Sequence, residues 1–336
     1  MLLIDAMYVH DGGGRVLLNY LIKNLELTNT NCYYLFDQRF KGEHPPIKSS
    51  NNFIYLEGSL WKRHQFYKKN KSRFSKVFCF GNLPPNIKMN ASVITYYHSS
   101  LYFSDLAEFG YSERFKYLLK RFILKKFTTN CDLWLVQTDL MKKTLSEKFQ
   151  IEKDKISLKP FFPPFDEHNS TFDREKNSFL FVSIGTAHKN HIRLINAFCA
   201  FFDNHKIGKL VLTVSKDFEE VYNIIEKRKT QGYPILNVGL VKRKEVKKLY
   251  LSNEYLIFPS LAESFGLGLV EAIENGCKVI GADLPYTYAV CQPSSVFNPY
   301  DEKAIELAFL NAAQKKLPSS ESLISDEINS LVKLLK

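Results

Sequence analysis

Glu263 and Glu271 stand eight positions apart in a 336-residue chain, inside the segment from Tyr255 to Gly276. The apolar run ending at Phe258 predicts a strand, Pro259 and Ser260 turn the chain, and Glu263 falls on the following loop. A helix is predicted from near Gly266, with Leu269, Val270 and Ile273 on its buried side and Gly276 as a left-handed stop. The opening amides of such a helix, from Ser264 through Phe265 and Gly266 to Leu267, offer an anion-docking site at a strand end. Glu271 would lie about 6–7 Å further along the axis, at about 1.5 Å per residue. One carboxylate at the mouth and one lower on the same helix suit a ligand with hydroxyls on both sides of a diphosphate. Glutamates taken at random are usually solvated surface residues, so the pair gains weight only from its setting.

Three further features could join them. Lys189 lies in Ser183-Ile-Gly-Thr-Ala-His-Lys-Asn190, after a predicted strand and before a predicted helix for which Asn190 would be the N-cap. A phosphate there would meet both a point charge and aligned amides. His98 ends the predicted strand Ser92–Tyr97. Asp11-Gly-Gly-Gly-Arg15 follows the first strand, and its glycines let backbone approach a ligand closely. The run is not GxGxxG, and no ribose-binding acid follows at the usual place, which argues against a dinucleotide.

The elements that must position these residues alternate along the chain. Strands are predicted at 2–9, 32–36, 53–57, 76–80, 92–97 and 133–136, with helices at 15–25 and 113–127 between them. Three prolines between Lys159 and Phe165 interrupt the pattern, so 160–177 reads as a linker. The alternation restarts with strands at 179–184, 209–214, 235–238, 254–258 and 278–281, and a helix at 191–202. Two successive βα arrays predict an α/β protein of two parallel sheets covered by helices. The domains are placed at 1–165 and 178–318, with the helix near 320–336 packing back on the first. Ligands of such sheets bind outside the carboxyl ends of the strands, and the cleft between two such domains is the natural site.

The segment around Glu263 closely resembles the signature of family four of the retaining glycosyltransferases, whose fold, GT-B, has two Rossmann-like domains facing a deep cleft. The resemblance is carried by Glu263, Phe265, Gly266, Leu267, Glu271, Ala272, Gly276, Val279 and Ile280, with Val238-Gly-Leu and Pro259-Ser260 upstream and Asp283 downstream. It covers 179–300 well and is weaker before 170. It implies that Glu263 contacts the donor sugar near the reacting centre and that Glu271 holds the nucleotide ribose. It also implies that Ser264, Phe265, Gly266, Leu267 and Gly185 line the donor site and that Lys189 binds the diphosphate. Gly13 and Gly14 resemble the family's N-terminal glycine loop, and His98 its histidine beside the donor sugar. Thr186 stands where many members place an arginine. The implied activity is transfer of a sugar from a nucleotide-diphosphate donor to a polyprenyl-diphosphate-linked or other glycan acceptor, as in O-antigen or capsule assembly. The implied alternative is a noncatalytic GT-B scaffold that binds a sugar nucleotide or glycan.

Composition narrows the partners. Hydrophobic residues are 45% and charged residues 24%, which excludes a disordered or fibrous chain. No run approaches the roughly 20 apolar residues of a membrane span, and the apolar start is too short and acidic for a signal peptide. The expected location is therefore cytoplasmic, peripheral on the inner face of the cell membrane. Six scattered cysteines, with no CxxC and no Cys/His pairing at zinc spacing, read as buried thiols. No DxD-like carboxylate pair falls in the site motifs, so neither metal nor other cofactor is expected. Net charge is +11, and residues 1–170 hold 25 basic against 16 acidic side chains, while 171–336 hold 21 against 19. Lys62, Arg63, Lys68, Lys69, Lys71, Arg73, Lys76 and Lys88 interleave with Trp61, Phe66, Tyr67 and Phe74. Residues 114–127 carry six more bases around Phe115, Leu118, Leu119, Phe122 and Ile123. Both stretches suit an anionic membrane surface, with the apolar stripe of the second expected to pack on the first sheet. Nucleic acid is not expected, because no recognised binding pattern accompanies the charge.

Overall fold

The computed structural model describes residues 1–100, 110–165 and 173–336. It divides into two compact units: Met1–Pro163 with Ser325–Lys336, and Pro164–Ile324. The first is built on seven strands: β1 Leu2–Ala6, β2 Cys32–Asp37, β3 Asn52–Leu56, β4 Lys76–Cys79, β5 Ser92–Tyr96, β6 Leu133–Val136 and β7 Ile156–Leu158. They pair in parallel in the order β3-β2-β1-β4-β5-β6-β7. Helices α1 Gly12–Glu26, α2 Leu60–Lys69, α3 Tyr111–Phe127 and α4 Asp139–Phe149 lie between them in the chain. The near-continuous burial of β1, β2 and β6 is what a sheet covered on both faces requires.

In the second unit β8 Glu175–Phe181, β9 Lys209–Leu212, β10 Ile235–Asn237, β11 Asn253–Phe258, β12 Lys278–Ala282 and β14 Ser295–Phe297 form a parallel sheet. Its order is β10-β9-β8-β11-β12-β14, and β13 Cys291–Gln292 pairs antiparallel with β15 Glu321–Ser322. The helices are α5 His191–His205, α6 Glu219–Thr230, α7 Arg243–Ser252, α8 Leu267–Glu274, α9 Pro285–Val290 and α10 Glu302–Gln314. Both sheets have the doubly wound order, so each has one switch point where successive connections leave in opposite directions. In the first it lies between β1 and β4, in the second between β8 and β11.

The last helix, α11 Ile328–Leu335, belongs to the first unit and buries Ile328, Leu331, Val332 and Leu335 there. Asp326 before it accepts from the Tyr20 hydroxyl at 2.8 Å and the Phe162 amide at 3.1 Å, and Lys159 pairs with Glu327 at 2.9 Å. The strand β8 begins at Glu175, inside the predicted linker, and the Glu175 side chain pairs with Lys209.

Two expectations about the basic first unit fail. Arg63 is no surface base: it is 2% exposed and pairs with Asp5 of β1, with its remaining donors on the Pro84 and Leu83 carbonyls. Phe66, Tyr67 and Phe74 join the hydrophobic core, leaving Trp61 as the exposed aromatic of the four. A carboxylate buried in a core strand is costly without a charged hydrogen-bond partner, which outweighs solvating the arginine. The stripe of α3 also departs from expectation. Tyr111, Phe115, Leu118, Leu119 and Phe122 are exposed, while Leu124, on another face, is the buried apolar residue. No helix among the described residues is long and apolar enough to cross a membrane.

Candidate donor site at the second switch point

The switch between β8 and β11 places Lys189 and Glu263 together. The chain leaves β8 through a short 3-10 turn, Ala187–Lys189, and enters α5 at His191. It leaves β11 at Phe258 and reaches α8 at Leu267. The Leu261 amide donates to the His188 carbonyl at 2.7 Å, bridging the two loops. The Asn190 side-chain Nδ2 donates to the carbonyls of Pro259 and Pro299, at 3.2 and 2.7 Å. Asn190 sits at φ +63° and makes no side-chain cap, so its role as N-cap is replaced by that of a cross-loop tie. On this frame the Lys189 ammonium meets the Glu263 carboxylate at 2.5 Å, both side chains mostly buried, with the Phe258 ring 5.9 Å below the ammonium.

Gly266 precedes α8 at φ +68°, a left-handed conformation that glycine adopts without strain. Beyond it Glu271 is 5% exposed on the helix. Arg243, the first residue of α7, donates to one carboxylate oxygen, and the Tyr250 hydroxyl donates to the other at 3.3 Å. Burial raises the Glu271 pKa, and Arg243 opposes that shift. Arg243 also stands 4.1 Å over the Phe165 ring. Neither Arg243 nor Tyr250 was foreseen. A signal existed: Lys242, Arg243 and Lys244 crowd a helix N-terminus, where the backbone dipole favours anions.

His188 and Arg193 are the basic neighbours of Thr186, the position where the resembling family often has an arginine. His188 is held neutral, its pKa pushed down to about 4 by burial and by Lys189, and Arg193 donates to the Asn190 side chain at 3.1 Å. His191 is also neutral, pushed down to about 3 by burial, its ring 4.8 Å from that of Phe181. Gly185 has a packing reason: a Cβ there would lie 2.6 Å from Cβ of Phe218.

The other sequence-selected residues lie in the first unit. The glycines do not form a loop ahead of a helix: α1 begins at Gly12, so they are its first turn. Gly12 needs φ +55°, Gly13 faces open space, and a Cβ on Gly14 would touch Cε1 of His98 at 3.4 Å. The structure thus brings Gly14 and His98 together. His98 Nε2 lies 2.8 Å from the Phe80 carbonyl, which can only accept, so that nitrogen carries the proton. The His98 amide donates to Asn82, and burial keeps the imidazole below its ordinary pKa. Among the described residues no cluster of His, Cys, Asp and Glu could hold a metal ion, and all six cysteines are buried thiols.

Residues 164–320 match the family described as glycosyl transferases group 1. The chain is 26% identical over 231 residues to the O-antigen chain mannosyltransferase RfbU of Salmonella typhimurium, covering 67% of this chain and 63% of that one. It therefore spans a little under two thirds of that relative. A sucrose-phosphate synthase of Thermosynechococcus elongatus superposes with a TM-score of 0.71 at 15% identity, over 92% of this chain and 88% of the other. WaaG, a glycosyltransferase involved in lipopolysaccharide biosynthesis, gives 0.69 at 13% identity, over 94% and 91%. The fold is GT-B.

Proposed function

We propose, for a chain whose residues 164–320 belong to the glycosyl transferases group 1, that it moves a sugar from a nucleotide-diphosphate donor to an acceptor hydroxyl with retention at the anomeric carbon. The observation that carries the reading is the Lys189–Glu263 pair at the switch point, beside the start of α8. The bond from the anomeric carbon to the diphosphate breaks through an oxocarbenium-like state, and the acceptor oxygen attacks on the same face. The acceptor proton passes to the departing phosphate. Lys189 and the α8 N-terminus take up the charge that develops on the leaving group, fixed electrostatics of the kind that dominates many rate enhancements. Glu263 orients the sugar, and Glu271 holds the ribose. These roles need no metal.

The likeness to an O-antigen chain mannosyltransferase supports an O-antigen-type glycan as acceptor. The exposed face of α3 supports a membrane-surface location: apolar Phe115, Leu118 and Phe122 are flanked by Arg114, Lys116, Lys125 and Lys126. A thermal-shift panel of UDP, GDP, ADP and CDP tests the donor site, since a ligand at about 100 times its Kd adds roughly 2.7 kcal/mol. Silence from all four refutes the reading. Transfer or donor hydrolysis by the wild type that disappears in Glu263→Ala separates an enzyme from a binding scaffold.

A further inference from the structure

Glu271 is held from two sides by one helix. Arg243 and Tyr250 stand at the two ends of a two-turn interval on α7, and each donates to a different oxygen of the carboxylate. Phe165 braces both partners, with the guanidinium over its ring and the Tyr250 ring edge-on at 6.1 Å. The Glu271 side chain is 7% exposed and that of Arg243 31%, so the pair is sealed on one side only. A carboxylate has about four lone-pair positions. The two donors take one on each oxygen, and no other described side chain claims the rest.

We infer that Arg243 is the positioning residue of the donor nucleoside, fixing Glu271 so that its remaining lone pair on each oxygen accepts one of the two vicinal hydroxyls of a ribose. The inference rests on the donor-site reading above. A diol with adjacent hydroxyls matches two parallel acceptors, and a freely rotating carboxylate would offer that match only part of the time. Burial favours protonation of the Glu271 carboxyl, and the Arg243 charge beside it opposes that shift. Among the described residues, the charged and titratable groups facing Glu271 are Arg243 and Tyr250. Cys277 and Arg174 lie one layer away, both donating to the Tyr250 carbonyl.

Isothermal titration with the nucleoside diphosphate chosen by the panel and with its 2′,3′-dideoxy analogue tests this, from about pH 6 to about pH 8. The wild type should prefer the ribo form by at least about tenfold, as for hydrogen bonds to a charged group, across that range. In Arg243→Gln the preference should drop below about threefold, and affinity for the ribo form should fall toward the acid end as Glu271 takes up a proton. Arg243→Lys keeps the charge without the planar fork, so it should lose part of the preference and show no acid loss. An Arg243→Gln protein with full ribose preference and a flat pH profile overturns the inference and leaves the donor site standing. A wild type that binds no nucleoside diphosphate overturns both. Should Arg243→Gln fail to fold, Arg243→Lys decides, and an unchanged ribose preference in it refutes the positioning role.

Discussion

Replacing Glu263 by Gln should tighten the binding of a sugar-free nucleoside diphosphate while destroying turnover. The Lys189 ammonium is held by Glu263 at 2.5 Å. A phosphate oxygen docked on the same ammonium at an ordinary hydrogen-bond length of about 2.8 Å comes within about 5 Å of the carboxylate. The repulsion between those charges is about 1 kcal/mol with the dielectric of water and about 3 kcal/mol at an effective value of about 20. The two side chains are 13% and 16% exposed, between those limits. Glu263→Gln should therefore improve Kd for the diphosphate by about tenfold, from about 1.4 kcal/mol of lost repulsion. Lys189→Ala removes the attraction and leaves the carboxylate facing the phosphate, so it should weaken the same Kd by about a hundredfold. Titration calorimetry with the diphosphate, beside donor turnover, reads both. Glu263→Gln weakening diphosphate binding as much as Lys189→Ala does would falsify the placement of the phosphate on this lysine.

Four other outcomes follow from the same geometry. Gly185→Ala pushes a methyl into Phe218 and should lower stability by about 1–3 kcal/mol by thermal melting, whereas Gly13→Ala should raise it by about 0.5–1 kcal/mol and cut turnover only if a ligand approaches that backbone. Arg63→Ala strands buried Asp5 and should cost about 3–5 kcal/mol, while Lys62→Ala on the same helix should cost under about 0.5 kcal/mol; Trp61 and Trp134, the chain's two tryptophans, report unfolding of that unit by fluorescence. Phe115→Ser with Leu118→Ser and Phe122→Ser should abolish co-sedimentation with anionic vesicles and leave the melting temperature unchanged, and persistent binding removes α3 as the docking element. His191 has a folded pKa of about 3 against an unfolded value near 6.5, so the unfolded chain binds the proton first and stability falls as pH drops through that interval; by about pH 5 the loss is about 2 kcal/mol, and His191→Phe should flatten it, because neither ring nitrogen has a partner among the described residues.

The second sheet was readable because its strands are short apolar runs with unambiguous turn residues, and because Gly266 and Gly276, both at positive φ, stand at the two ends of α8. Lys189 and Glu263 could be chosen one by one, yet their contact depends on β8 and β11 being neighbours, which is topology and not local pattern. Arg243 and Tyr250 stayed hidden for the same reason: α7 meets Glu271 only in three dimensions. The basic stretch misled because charge counted along a chain says nothing of which base a buried acid will recruit, and Asp5 recruits Arg63 from 58 positions away. On α3 the helical spacing was legible but the face that meets the sheet was not. A stripe of five apolar residues reads equally well as core or as an exposed patch, and Leu124 is what packs.

The two glutamates of the α8 region are equipped for different tasks, and their cations show how. Glu271 is held by Arg243 and Tyr250 from a helix of its own unit, and nothing in donor binding requires either to leave. Glu263 has Lys189, which on the proposed function must also receive the diphosphate. Arrival of a phosphate draws the ammonium away and frees the Glu263 carboxylate, at that moment, to accept from a sugar hydroxyl. Recognition of the sugar is then conditional on recognition of its leaving group. A free monosaccharide would find the carboxylate still engaged. In Glu263→Gln the lysine is released beforehand and that condition disappears. The affinity gained from adding a sugar to the diphosphate should then be larger in the wild type than in the variant, whose neutral amide makes the weaker hydrogen bond. Equal gains in the two proteins would mean that Glu263 never turns to the sugar.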